Sequence, residues 1–84
     1  MVVKAYARAK HLEVGDKIMP GALAQDYLVD ADYRNILYGA QEERDDVVIT
    51  EIEAEDEYFT ITFDTPKYSI MLDLDPYSLV ELNL

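Results

Sequence analysis

Residues 47–75 read VVITEIEAEDEYFTITFDTPKYSIMLDLD, and this stretch decides the fold class. Apolar and polar residues alternate along it with a period of two, which is typical of half-buried β-strands. Two polar segments interrupt the alternation, residues 55–57 and residues 64–67, and both contain residues that favour turns. The stretch therefore predicts three consecutive strands, the first two of which form a hairpin.

Each predicted strand has one apolar face and one polar face. The inward sets are Val48, Ile52 and Ala54 in the first strand, Phe59, Ile61 and Phe63 in the second, and Tyr68, Ile70, Leu72 and Leu74 in the third. Asp75-Pro76 ends the third strand, because proline cannot continue a ladder of hydrogen bonds. A short final strand is predicted from the inward residues Val80, Leu82 and Leu84.

The N-terminal half has a weaker pattern. Val3, Ala5 and Ala7 alternate with polar or larger residues and predict a first strand, and a turn centred on Gly15-Asp16 leads into a second strand that Pro20-Gly21 ends. Asp30 is a candidate N-cap for a short helix over residues 31–38, with Gly39 as its left-handed end. Residues 34–38 are equally compatible with a strand, and residues 41–46 are expected to form a charged loop.

The segment Leu12-x-Val14-Gly15-Asp16-x-Ile18 follows a basic first strand and precedes an acidic series of strands. This order resembles the small SH3-like β-barrel proteins of bacteriophages and bacteria. We expect a mainly β chain that forms a small SH3-like partly open barrel or a twisted antiparallel sheet of about five strands, with a loop or short helix within residues 20–46. The resemblance implies no functional residue, since fold alone does not imply function.

Composition and charge restrict the function classes. The chain has 84 residues, which suits a single domain over residues 1–84, and it has 18 Asp and Glu against 7 Lys and Arg, a net charge of -11. Residues 1–19 have four cations and two carboxylates, whereas residues 20–84 have three cations and 16 carboxylates. Such a surface repels nucleic acid and anionic lipid and attracts basic protein surfaces. The lack of cysteine and of a long apolar run favours a soluble protein of the cytoplasm.

Catalytic and metal-binding patterns are weak. His11 is the single histidine, and the nearest Ser or Thr in sequence is Thr50. The two Asp-x-Asp pairs, at residues 30–32 and 73–75, are close to the number that ten Asp would give by chance, and Asp73 and Asp75 would bind a divalent cation only loosely. We therefore expect no catalytic residue, no cofactor and no metal site.

The acidic residues are the candidates for function. The predicted strands and turns gather many of them on one side, where they would meet a basic partner together with Tyr58 and, on the helix, Tyr38. The candidate partner-binding residues are Glu42, Glu43, Asp45, Asp46, Glu51, Glu53, Glu55, Asp56, Glu57, Tyr58 and Asp64.

Three functional interpretations stay open beside a merely solvated surface. The first is a non-enzymatic module, encoded by a phage or mobile element, that mimics nucleic acid and blocks a host protein that handles DNA or RNA. The second is a structural or assembly subunit, in which strand edges pair with neighbours and the charge keeps the protein soluble. A small hydrolase or metal-dependent enzyme ranks third.

Overall fold

The computed structural model describes residues 4–27 and 30–84, which contain six strands and two α-helices. The elements are β1 (Ala5–Arg8), β2 (Lys17–Ile18), α1 (Pro20–Asp26), α2 (Ala31–Glu43), β3 (Val47–Ala54), β4 (Phe59–Asp64), β5 (Ser69–Leu74) and β6 (Leu79–Leu82). The six strands form one antiparallel sheet in the order β1-β6-β2-β3-β4-β5, curled into a half-barrel. The predicted mainly β, partly open barrel with a helical insertion is confirmed, with six strands in place of about five.

The β3–β4–β5 meander follows the predicted pattern closely. Ile49, Phe63 and Ile70 lie side by side on the three strands and are fully buried. Both turns are closed by a backbone hydrogen bond, from Glu55 N–H to Tyr58 O at 2.9 Å and from Thr65 N–H to Tyr68 O at 2.8 Å. The alternating pattern in β4 and β5 therefore predicted the inward side chains correctly between Phe59 and Leu74.

The prediction for β3 is wrong in its first half. Val47 and Ile49 are the buried residues there, whereas Val48 faces outward and pairs with Asp64. The pairing with β4 shifts between Ile49 and Glu51, so Thr50 is an extra residue in a β-bulge. The bulge reverses the alternation, and only beyond it does Ile52 face the core as expected. Ala54 is exposed at the end of the strand.

Strands β1, β6 and β2 form the other half of the sheet. Ala7 pairs with Val80, and Ile18 pairs with both Leu82 and Val47. Gly15 has a φ of 99°, a left-handed conformation that suits glycine, and its N–H donates to Ile49 O at 2.7 Å. The predicted turn at Gly15-Asp16 is thereby anchored to β3.

Two predicted inward residues, Tyr68 and Leu84, do not lie in the sheet as expected. Tyr68 precedes β5 and is 56% exposed, and Leu84 follows β6 and is 97% exposed, because each lies beyond the end of its strand. Val3 lies outside the described residues.

The segment between β2 and β3 is more helical than the sequence suggested. Pro20 ends β2 as predicted, but it also starts α1, because its fixed φ suits the first position of a helix. Asp30 caps α2 as predicted, with its carboxylate accepting the Tyr33 N–H at 2.8 Å, so the alternative strand over residues 34–38 is wrong.

Helix α2 does not end at Gly39. It continues to Glu43, and Arg44 with a φ of 58° provides the left-handed end, so residues 41–43 belong to the helix and not to a charged loop. Packing explains the extension: Ala40 is buried, and the Gln41 side chain accepts the Gly21 N–H from α1 at 3.1 Å. These contacts offset the cost of glycine within a helix, about 1 kcal/mol.

The core lies between the inner face of the sheet and the two helices. The helices contribute Leu23, Ala24, Leu37 and Ala40. Tyr27, which follows α1, donates a hydrogen bond to Leu79 O. Burial raises the pKa of its phenol, and the nearby Asp26 carboxylate adds to this effect, whereas a hydrogen bond with Ser78 opposes it. Neither α1 nor α2, the helices of the described part of the chain, has the length and apolar character that crossing a membrane requires.

Candidate protein-binding surface

The outer side of β3, β4 and β5 carries a group of carboxylates that we call the acidic sheet face. Its carboxylates are Glu51 and Glu53 on β3 and Asp73 on β5. Glu51 lies in a row with Thr62 and Met71, and Glu53 lies in a row with Thr60 and Asp73. Neighbouring positions in such a row are about 5 Å apart. Three carboxylates therefore share the outer surface of three adjacent strands.

Alternation in the strands explains this arrangement. The inward residues of these strands are apolar and buried, so the intervening residues must face solvent. The Thr60 hydroxyl donates to Asp73 Oδ1 at 2.7 Å and links β4 to β5 across the face. The acidic sheet face is consequently held by the same meander that builds the core.

The turn between β3 and β4 extends the negative surface. Residues 55–57 are three consecutive carboxylates, all exposed, and Tyr58 follows them with its side chain partly exposed. The turn begins after Ala54, the residue that follows Glu53 and ends β3, and it is closed by the hydrogen bond between Glu55 and Tyr58. Glu51, Glu53, the turn and Tyr58 are thus brought together as the sequence suggested.

The remaining candidates lie at the opposite end of β3. Glu42 and Glu43 occupy the last turn of α2, and Asp45 and Asp46 connect it to β3. The eight residues of β3 separate this group from residues 55–57 by about 25 Å, at a rise of about 3.3 Å per residue. The candidate residues therefore form two groups and not one continuous face.

Cations partly neutralise this second group. Lys17 Nζ lies 3.2 Å from Asp46 Oδ2, and Lys67 Nζ lies 3.7 Å from Glu43 Oε2. Asp64, at the end of β4, accepts a hydrogen bond from the Ser69 hydroxyl. Because these pairs are exposed, each contributes little to stability, but they reduce the negative charge available to a partner.

The acidic sheet face has no such compensation within the described part of the chain. Residues 47–84 contain nine carboxylates and a single cation, Lys67, which pairs with Glu43. Among residues 4–27 and 30–84, no Lys or Arg nitrogen lies within ion-pair distance of Glu51, Glu53 or Asp73. The acidic sheet face and the turn at residues 55–57 thus hold six carboxylates, none of which takes part in an ion pair of the described residues.

Asp73 is the residue of this surface that the sequence did not place among the candidates. Its alternation within β5 shows that it faces outward, but its position in the row of Glu53, with Thr60 between them, depends on the registers of two hairpins. The turn at residues 65–68 fixes one register and the bulge at Thr50 shifts the other. In the sequence, the alternation of residues 69–75 indicated that Asp73 faces outward. No comparably strong pattern indicated the bulge at Thr50.

Three basic residues of the N-terminal segment, Lys4, Arg8 and Lys10, lie at the far edge of the sheet, on or beside β1. Arg8 on β1 donates from Nη1 to Tyr77 O at 2.8 Å, and Lys10 Nζ lies 4.4 Å from the centre of the Tyr77 ring. In the sheet order, β1 and β5 are the two edge strands. The molecule thus has a cationic edge and an anionic edge.

A groove with a volume of about 270 Å³ separates α2 from the β4–β5 turn. Its walls include Ile36 and Glu43 from α2 and Thr65, Lys67 and Tyr68 from the turn. Ligand sites for drug-sized molecules occupy about 300–1,000 Å³, so the groove is small for such a ligand. The Glu43–Lys67 ion pair spans its two sides.

Potential metal ligands are separated in the described part of the chain. Asp73 accepts from Thr60 and Asp75 accepts the Tyr77 N–H at 2.8 Å, so each carboxylate has its own partner. No three His, Cys, Asp or Glu side chains of the described residues converge as a metal site would require. His11 is exposed at the end of a short 3₁₀ turn after β1.

A comparison of the chain with protein-family models, with curated proteins and with solved structures finds no match.

Proposed function

We propose that the protein is a non-enzymatic module that binds a basic surface of another protein through the acidic sheet face and the turn at residues 55–57. One observation carries this proposal: Glu51, Glu53 and Asp73 lie together on a three-stranded surface without a neutralising cation in the described part of the chain. Crowding of like charges costs free energy in the folded state. A cationic partner would offset that cost on binding.

Tyr58 strengthens the case for a protein partner. It stands next to the acidic turn with its ring partly exposed, and aromatic residues often dominate the binding energy of protein interfaces. Met71 lies on the same face, in the row of Glu51 and Thr62, and is 55% exposed. The surface therefore offers apolar contact area together with negative charge.

A protein that binds nucleic acid is the partner that best suits this surface. Proteins that handle DNA or RNA bind the phosphate backbone with clustered Lys and Arg, and a surface of aligned carboxylates competes for the same site. We therefore propose an inhibitor that mimics nucleic acid, encoded by a phage or mobile element and acting in a cytoplasm on a host enzyme. Steering between opposite charges would make its association fast and sensitive to salt.

A pull-down from the lysate of the native host tests the proposal. The immobilised chain should retain one or a few basic proteins, which a salt gradient elutes and mass spectrometry identifies. Added double-stranded DNA or RNA should release the same proteins if they hold the chain in their nucleic-acid site. Retention that is unaffected by nucleic acid would contradict the mimic, and retention that is unaffected by salt would contradict binding through charge.

Two double variants of equal net charge provide the control. Glu51→Gln with Glu53→Gln removes two charges from the acidic sheet face, whereas Glu13→Gln with Asp26→Asn removes two exposed charges from other elements. The first variant should retain at least about tenfold less of the partner, corresponding to about 1.4 kcal/mol, and the second should resemble the wild type. Equal losses would show that only total charge matters and would contradict a defined site.

A structural or assembly subunit is the second candidate. It is favoured by the open edges of β1 and β5, which no strand of the described residues covers. Exposed edges are templates for pairing with another chain. A ring or filament that is already stable at micromolar concentration would favour this candidate over the inhibitor.

A further inference from the structure

The two edge strands differ from well-protected sheet edges. Natural edges are commonly blocked by proline, a bulge or an inward-facing charge. Strand β5 has six residues in regular register with β4 and contains no proline, lysine or bulge. Strand β1 is shorter, with four residues, and is also regular. Both edges are therefore able to accept another strand.

The hydrogen-bond pattern identifies the backbone groups that are free at each edge. Thr65 N–H donates to Tyr68 O, so alternation along the antiparallel ladder directs the N–H and C=O groups of Ser69, Met71 and Asp73 away from β4. On β1, Ala9 N–H donates to Ser78 O. By the same alternation, the N–H and C=O groups of Tyr6 and Arg8 point away from β6.

The side chains of these residues lie on the same side of the sheet. Ser69, Met71 and Asp73 face outward on β5, and Tyr6 and Arg8 face outward on β1. Residues opposite each other in a ladder must share a face. A β1–β5 pair between two copies would therefore continue both the outer face and the apolar inner face, where Ala5 and Ala7 would meet Leu72 and Leu74.

Strand direction also fits. Each neighbouring pair in the sheet is antiparallel, so β1 and β5 run in opposite directions within one molecule. A second copy that extends the sheet beyond β5 in the same curl would present its β1 antiparallel to β5. The sequence of antiparallel pairs would then continue without interruption.

Charge favours this pairing over the alternatives. The β1 edge carries Arg8, with Lys4 before the strand and Lys10 after it, whereas Asp73 and Asp75 lie on or just after β5. In one antiparallel register, Tyr6 lies opposite Asp73 and Lys4 lies opposite Asp75. Arg8 then lies opposite Met71, and Asp73 is its diagonal neighbour. Diagonal neighbours are about 7–8 Å apart, within reach of an arginine side chain. A β5–β5 pair would instead bring carboxylates together.

We propose that the chain associates head to tail with a second copy of itself, with β1 of one copy adding to β5 of the next as a new strand of the sheet. The proposal does not depend on the partner of the acidic sheet face. Repulsion between copies of net charge -11 acts against it, but at about 0.15 M salt the screening length is about 8 Å. Contacts across paired strands are shorter than that and are screened less.

Complementary blocked chains test this arrangement. Met71→Pro removes an outward N–H from β5, and Tyr6→Pro removes one from β1; proline is tolerated in edge strands where the N–H faces solvent. The wild-type mass from light scattering should rise above one chain of 9.6 kDa as concentration goes from micromolar to millimolar. Each blocked chain alone should stay at the mass of one chain, and an equimolar mixture should form a one-to-one pair through the edges left open.

The masses measured by light scattering can support or overturn the proposal. A wild-type chain that remains at 9.6 kDa throughout the range overturns the proposal. The same result is expected if the β5 edge pairs with a segment of another protein instead of a second copy. Self-association of the Met71→Pro chain, or a mixture without pairs, overturns the head-to-tail arrangement. Circular dichroism verifies that both chains fold.

If a proline variant does not fold, Met71→Lys is tested in its place. This variant places a cation against Arg8 of the next copy and should lower the association constant by about tenfold or more. The matched control is Val14→Lys in the turn before β2, which adds the same charge at a similar exposure, 63% against 55%, but lies outside both edge strands. Equal effects of the two lysines would contradict the edge as the site of contact.

Discussion

Arg44 ends helix α2 in a left-handed conformation, with a φ of 58°. For a residue with a Cβ atom this conformation costs roughly 1–2 kcal/mol, and glycine adopts it freely. The Arg44 N–H donates to both Ala40 O and Gln41 O, so the backbone of this cap stabilises the helix regardless of the side chain. The residue at this position is therefore a direct probe of the observed helix end.

We expect Arg44→Gly to be more stable than Arg44→Ala by about 1 kcal/mol. Both variants remove the same cation, so the comparison isolates the backbone conformation. Urea unfolding at neutral pH measures the two free energies. A chain in which the helix ended at Gly39 would give no advantage to glycine at position 44.

At the scale of the element, the bulge in β3 decides which side chains enter the core. Ile49 is fully buried against Phe63, whereas Val48 faces outward beside Lys17 and Asp64. A regular strand in phase with Ile52 would bury Val48 and expose Ile49. Val47, which is also fully buried, would be exposed together with Ile49, so the two arrangements bury different side chains along the first half of the strand.

We expect Ile49→Ala to lower the free energy of unfolding by about 3 kcal/mol, because it removes buried methyl groups and leaves a cavity. Val48→Ala should cost less than about 1 kcal/mol, because its side chain is only partly buried. Chemical denaturation of both variants provides the comparison. A larger loss for Val48→Ala would mean that β3 is paired without the bulge.

The elements also show what the sequence can and cannot predict. The alternation in β4 and β5, the turn at residues 55–57 and the Asp30 cap are local signals, and each is confirmed. The bulge at Thr50 and the end of α2 depend on tertiary packing. Gln41 contacts Gly21, a residue 20 positions away, and the local sequence gives no indication of that contact.

At the scale of the whole molecule, the same distinction applies to the candidate surface. Outward positions such as Glu51, Glu53 and Asp73 follow from alternation, but their adjacency follows from the pairing of three strands. The partial neutralisation of the carboxylates at the end of α2 depends on where Lys17 and Lys67 lie. The sequence gives the number of charges but not which carboxylates are paired with a cation.

The central claim is that the charges of the acidic sheet face form a concentrated, uncompensated field. The most direct test compares the thermal unfolding of the two double variants of equal net charge, Glu51→Gln with Glu53→Gln and Glu13→Gln with Asp26→Asn, at two salt concentrations. At about 0.01 M NaCl the screening length is about 30 Å, and at about 1 M it is about 3 Å.

At low salt we expect the variant that carries Glu51→Gln and Glu53→Gln to melt about 2–4 °C above the control variant, because removing clustered charges relieves more repulsion. At high salt the difference should vanish. Equal melting temperatures at low salt, or a difference that persists at high salt, would contradict the account.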